Sequence, residues 1–151
     1  MKNSMKNEDL ELVDSWLKRA QNKFNEAEEH LKSWRYPESI SASQECIEFS
    51  MKSILILLKG EYPKRHEFKE EEFEVAMKKV PEKLKHYEYP KLFLYSQFWS
   101  YFYTISKYGY EKIGIGADKL FEKEEAELAL KHARRNIDAA RRLETYIKHR
   151  E

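Results

Sequence analysis

The chain holds one cysteine, four glycines and four prolines in 151 residues. A single cysteine, Cys46, cannot close an intramolecular disulfide, and it excludes zinc sites built on cysteine pairs. It stands in an apolar stretch, where a small buried residue is its expected role. So few glycines and prolines leave little material for the turns of an all-β domain, and they exclude collagen-like chains. Long apolar runs are missing too. The longest, Ile54 to Leu58, falls far short of the ~20 residues that a membrane helix needs. The opening MKNSMKNEDLELVDSW has no apolar signal-peptide core. A cytoplasmic protein with no membrane contact is the expectation. Excess charge of one sign is also absent. Lys and Arg total 28 against 27 Asp and Glu, a net +1, so no global field draws the chain to nucleic acid and only a local patch could bind it.

What is present favours helices. Lys, Glu and Leu dominate, and 18.3 kDa suffices for one domain, 1–151, with its own core. From about Asn7 to Trp34, apolar residues recur in steps of three and four: Val13, Trp16, Ala20, Phe24, Ala27, Leu31, Trp34. That is one stripe of an amphipathic helix, and Pro37 forces a break after it. A second helix is expected from Glu38 to about Leu58, with Ile40, Ser43, Ile47, Ser50, Met51, Ile54 and Leu58 on one face. Its small residues would let a neighbouring helix approach closely, and the tight connection makes the first two helices an antiparallel hairpin.

A polar connector, KGEYPKRHEF, leads to a shorter helix expected over Glu70 to Leu84, with Phe73, Ala76, Met77, Val80 and Leu84 inward. Lys91 to Tyr108 is helical in length and aromatic nearly all round, which predicts a central or interface helix. Of 21 aromatic residues, eleven fall between His86 and Tyr110, more rings than one side of a single helix can bury. A homodimer built partly on Trp99 and Tyr103 accounts for them. YGYEKIGIGADK then forms a loop, and a last helix runs from about Glu122 with Ala126, Ala129, Ala133, Ile137, Ala140, Leu143 and Ile147 inward. The expected fold is all-α: an antiparallel up-and-down bundle of four long helices plus one short one.

The stretch AEEHLKSWRYPESISASQECIEFSMKSILILLKGEYPKRHEF resembles the HEPN domain (higher eukaryotes and prokaryotes nucleotide-binding), of the stand-alone prokaryotic or archaeal type. The resemblance rests on Ala27 and Leu31 before the turn Arg35-Tyr36-Pro37, and on Gln44, Glu48 and Lys52 spaced four apart. Pro63-Lys64-x-His66-x-Phe68 follows, and Glu124-Glu125-Ala126 with Ala133 resemble the family's last helix. Similarity extends roughly from Leu10 to Leu143. It implies a bundle that commonly dimerises, a role tied to nucleotides or RNA, and often a nucleotidyltransferase partner.

Many members of that superfamily are metal-independent endoribonucleases whose site is an Arg, four to six residues, then a His, near the start of the last long helix. The matching segment here, SKYGYEKIGIGADK, has Lys107 but neither arginine nor histidine. Lysine binds phosphate as a point charge and lacks the planar fork of arginine. Arg142 and His149 match the spacing literally, but at the wrong end of the helix, where basic residues favour the helix dipole without any catalysis.

No catalytic residue is therefore assigned. Glu48 and Lys52 also make a favourable ion pair at helical spacing, whatever the family. Candidate ligand contacts are Lys52, Lys64, His66 and Lys107. Nothing nearby supplies a glycine-rich phosphate cradle. His30, His66, His86, His132 and His149 are scattered, so neither a metal nor an organic cofactor is expected. Lys131 to Glu151 carries two rows of basic residues, Arg134, Arg141 and Lys148 beside Arg135 and Arg142. These could track a nucleic-acid backbone or form a solvated face. The function expected is a non-catalytic, nucleotide- or RNA-associated partner, in a toxin–antitoxin-like pair with a nucleotidyltransferase. The alternatives are an endoribonuclease toxin with a non-standard site and a pure protein-interaction module.

Overall fold

A computed structural model describes residues 5–59 and 70–149. It has five α-helices: α1 (Asn7–Lys32), α2 (Tyr36–Lys59), α3 (Glu70–Met77), α4 (Tyr89–Tyr108) and α5 (Lys123–His149). Short 3₁₀ turns span Glu82–Tyr87, Glu111–Ile113 and Ala117–Lys119. There is no β-strand among the described residues, only an isolated bridge between Tyr110 and Ile115. The four long helices and one short helix are those that the periodicity predicts.

α1 buries Val13, Leu17, Ala20, Phe24 and Ala27. Its expected stripe fails at the end, because the helix stops at Lys32 and Trp34 turns outward, 80% exposed. Trp34 has φ +62°. Arg35 N–H donates to the His30 carbonyl at 2.8 Å, and Trp34 N–H to that of Leu31 at 3.1 Å. This is a Schellman cap with tryptophan in the left-handed position that glycine usually fills. Tyr36 opens α2 directly afterwards, and Ser39 Oγ donates to the Ala27 carbonyl at 2.8 Å to pin the hairpin.

α2, not α4, is the central helix. It packs against α1, α5 and α4, and Ser39, Ile40, Ser43, Cys46, Ile47, Ser50, Met51 and Ile54 are all fully buried. The aromatic helix fails as the centre because its rings hold neighbours too far off. The serines and Cys46 of α2 let them close in. Cys46 lies against α5 with Sγ 3.9 Å from the Ala133 carbonyl. Burial pushes its thiol up to about 12, so it is an inert core residue.

The short third helix ends early. α3 stops at Met77, and Leu84 belongs to the separate 3₁₀ turn. Pro81 cannot donate a backbone hydrogen bond, and it biases Val80 away from helical angles. α4 begins two residues before expectation, with Pro90 tolerated in its first turn. After α4, Gly109 has φ +79°, and a Cβ there would collide with the Ile115 carbonyl. On α5 the expected stripe from Ala126 to Leu143 is buried.

Trp99 and His132 join α4 to α5. Trp99 Nε1–H donates to His132 Nδ1 at 2.9 Å. The Tyr95 ring stacks on the imidazole at 3.6 Å between centroids, with 4° between planes. An indole N–H only donates, so Nδ1 must be unprotonated and the ring neutral. Burial, and then the charges of Arg135, Lys131 and Lys91, hold His132 at about 4 against an ordinary 6.5. A histidine held below its unfolded value contributes stability above that value, and the contribution disappears as pH falls through the folded one. Stability should therefore drop between pH 6.5 and about 4 by roughly 1–2 kcal/mol, allowing for partial exposure of the ring. Urea titrations followed by tryptophan fluorescence should show the drop, and His132→Gln should flatten it.

Candidate ligand groove

The serines that draw α1 and α2 together leave the bulkier α4 standing off from them, and a groove opens between the three helices. Its wider lobe encloses about 800 Å³ at the α1–α2 corner and the C-terminal end of α4. Among its lining are His30, Trp34, Arg35, Ser41, Lys107 and Tyr108. A smaller lobe of about 550 Å³ continues along α2 and α4 past Gln44, Glu48, Lys52 and Tyr103. Lys23 and Glu45 belong to both lobes.

A polar network crosses the waist. Tyr103 O–H donates to Glu45 Oε2 at 2.8 Å, while Lys23 Nζ stands 3.1 Å from Glu45 Oε1 and 3.4 Å from Glu26. Burial alone would pull Lys23 down, but its hydrogen bond and charge contact with Glu45 leave it raised. Burial raises Tyr103, and its contact with Glu45 adds to the effect. The Lys107 ammonium sits 4.6 Å from the Tyr103 ring centre, and its hydrogen bond with Tyr103 raises it. Glu48 and Lys52 form the expected pair at 3.5 Å. Beside them Gln44 is buried, and its Oε1 has no hydrogen-bond partner among the described residues.

Two of the four sequence-derived ligand candidates, Lys52 and Lys107, thus line adjoining lobes of one groove. Lys64 and His66 lie outside the described residues. Of the two interface candidates, Tyr103 faces the groove. Trp99 is 2% exposed and belongs to the core, so it cannot form part of an outer face. Its hydrogen bond to His132 draws it inward.

Sequence reasoning missed the groove's upper rim. Arg35 Nε donates to His30 Nδ1 at 2.9 Å, and beside this pair stand two exposed rings, Trp34 at 80% and Tyr108 at 64%. Neither Arg35 nor Lys107 forms a salt bridge among the described residues. The signal lay in Ser33-Trp34-Arg35: a tryptophan where the chain needs a left-handed residue cannot finish the buried stripe.

The basic row Arg134, Arg141 and Lys148 of α5 does other work. Arg134 reaches Glu28 at 3.4 Å and covers the Phe24 ring at 4.6 Å. Arg141 donates to the Leu17 carbonyl at 3.4 Å, and Lys148 stands 3.6 Å from Asp14 and 3.2 Å from Glu144. Asp14 is lowered by its hydrogen bond with Glu144 and by the Lys148 charge. This row seals α5 onto α1.

Residues 13–143 match the sequence pattern of the HEPN domain. The chain belongs to the HEPN family. No curated protein and no solved structure matches it. In this HEPN domain the loop between α4 and α5, where the resemblance implies the Arg–His site, contains neither residue type. Arg142 and His149 are both exposed at the far end of α5. Among the described residues no group of three or more His, Cys, Asp or Glu comes together as a metal site, and no helix is long and apolar enough to cross a membrane.

The cap itself gives a test. A non-glycine residue in the left-handed region costs roughly 1–2 kcal/mol. Trp34→Gly should therefore raise the melting temperature by about 2–8 °C in a domain of this size, while removing the most exposed ring on the rim. Calorimetry of the variant checks the gain.

Proposed function

We propose that this HEPN-domain protein acts by binding rather than by catalysis, as a nucleotide- or RNA-associated partner in a toxin–antitoxin-like pair with a nucleotidyltransferase. The observation that carries the reading is the rim of the groove. Exposed Trp34 and Tyr108 stand beside Arg35 and Lys107, two cations that form no salt bridge among the described residues. Rings offer a stacking face to any base, and the cations offer donors to phosphate. Gln44 adds a buried amide oxygen that has no hydrogen-bond partner among the described residues.

The remaining charges set the scale of the ligand. Glu26, Glu38, Glu45 and Asp118 also line the wide lobe, so its field does not suit a long polyanion. One nucleotide, or the end of an RNA strand, fits this balance.

Thermal-shift measurements with ribonucleoside monophosphates and a short single-stranded RNA test the reading. The wild-type protein should be stabilised, and Lys52→Ala combined with Lys107→Ala should abolish the stabilisation while leaving the helical circular dichroism unchanged. Full stabilisation in the double variant rejects the placement.

One observation favours the ribonuclease alternative: the His30–Arg35 hydrogen bond at the rim. An arginine beside a histidine can stabilise charge on phosphate and move a proton to or from a ribose hydroxyl. Should overexpression arrest growth, His30→Ala should relieve it and abolish metal-independent cleavage of RNA. Persistent cleavage in that variant excludes this pair.

A further inference from the structure

A second cavity, of about 290 Å³, lies at the opposite end of α4 from the wide lobe, between the 3₁₀ turn Glu82–Tyr87, the start of α4 and the middle of α5. None of its lining residues lines either lobe of the groove. Two cations, Lys91 and Arg135, and two carboxylates, Glu88 and Asp138, stand in its wall. Glu88 and Lys91 are three residues apart, as are Arg135 and Asp138, a spacing at which opposite charges commonly pair. Lys85 and Glu82 do so nearby, at 3.2 Å. Yet none of the four wall charges forms a salt bridge among the described residues. Arg135 turns instead to Tyr95, donating from Nη1 to the phenol oxygen at 2.7 Å. We propose that this cavity binds a free α-amino acid as its zwitterion, with the carboxylate held by Lys91 and Arg135 and the ammonium by Glu88 and Asp138.

The course of the helices sorts these charges by sign. Tyr89 O–H donates to the Ala139 carbonyl at 2.8 Å. Tyr95, six residues further along α4, meets Arg135, four residues back along α5. The helices therefore run antiparallel past the cavity, so that Glu88 and Asp138 share one end of it and Lys91 and Arg135 the other. Besides burial, the charges of Arg135, Lys131 and Lys91 lower His132, which places both wall cations at one end. Three residues of helix rise ~4.5 Å, so the two poles lie within reach of one small molecule through a charge-assisted hydrogen bond at each. An α-amino acid, with ammonium and carboxylate on a single carbon, matches that separation.

Other ligand classes match less well. Phosphate or a nucleotide would bring its negative charge against Glu88 and Asp138. Pockets for larger organic ligands span ~300–1,000 Å³, and this one stands at the small end. A divalent cation would meet Lys91 and Arg135, and among the described residues no group of three or more His, Cys, Asp or Glu comes together to hold one. The rings of His86 and Tyr87, 4.4 Å apart between centroids, also line the cavity. They offer a surface to an apolar or aromatic side chain, so glycine should be the weakest ligand of the class.

Two-dimensional NMR of the full chain, titrated with each standard L-amino acid to millimolar concentration, tests the assignment. An apolar or aromatic amino acid should shift the backbone amides around Lys91 and Arg135 and leave those of His30 and Lys107 in place. Its N-acetyl derivative and its carboxamide, each lacking one charge, should shift them far less. Lys91→Ala and Asp138→Asn, both at exposed positions, should each weaken binding roughly tenfold, the loss of one charge-assisted contact. Helical circular dichroism should be unchanged in both. Equal shifts with inorganic phosphate would make the cavity an anion site and overturn the proposal. Equal binding of either blocked derivative, shifts confined to the groove, or no shift with any amino acid would overturn it as well.

Discussion

Close approach to α2 is the constraint from which the rest of the structure follows. Ser39, Ser43, Cys46, Ser50 and Ser53 are fully buried on this helix, and their short side chains let three neighbours close round it. The arrangement has a cost. The hydroxyls of Ser43 and Ser50 have no hydrogen-bond partner among the described residues, and each buried group of that kind costs roughly 1–3 kcal/mol. Ile40, Ile47, Met51, Ile54 and Leu55 on the same helix are fully buried, and each offsets ~1.5–3 kcal/mol of it by leaving water. Small residues set the spacing, and the aliphatic residues between them stabilise it.

From that spacing come both the groove and the exposed apolar residues of α4. A helix with Tyr95, Trp99, Phe102 and Tyr103 cannot come as near to α2 as α5 does with its alanines. α4 therefore stands off, touching the bundle through ring contacts such as Tyr95 to His132 of α5 at 3.6 Å between centroids. The space left on its α1 side is the groove, bridged by the Tyr103–Glu45 hydrogen bond. The side facing away has no element to cover it among the described residues. A polar cleft and an apolar outer face on one helix thus share a single steric cause.

Where burial alone decides, the sequence was legible. The stripes of α1, α2 and α5 emerge from period 3.6, because a helix packed on one side must concentrate its apolar residues there. Legibility failed where the backbone or a polar contact decides instead. Trp34 continued the period of α1, yet its backbone adopts the left-handed conformation of the cap. Leu84 continued the period of α3, yet Pro81 ends that helix first. Trp99 looked like an interface residue because it stands in a run rich in aromatic residues, and its place was settled by a hydrogen bond to His132, 33 residues away.

The groove was half legible for a related reason. Lys52 and Lys107 are found by asking which cations lie on polar faces. His30 and Arg35 meet only once the Schellman turn has folded.

The fate of the basic residues shows how much of a charge pattern a fold can absorb. On α5, Arg134, Arg141 and Lys148 recur every seven residues, a spacing that would suit a phosphate backbone. Here they meet Glu28, the Leu17 carbonyl and Asp14 along α1. Cations that already hold a partner must give it up before they can bind a ligand, so such a row contributes little to an anion site. Arg35 and Lys107 face a smaller cost: among the described residues neither has a carboxylate to release, and each would give up a neutral partner, His30 or Tyr103. Both line one lobe, with an exposed ring next to each in sequence.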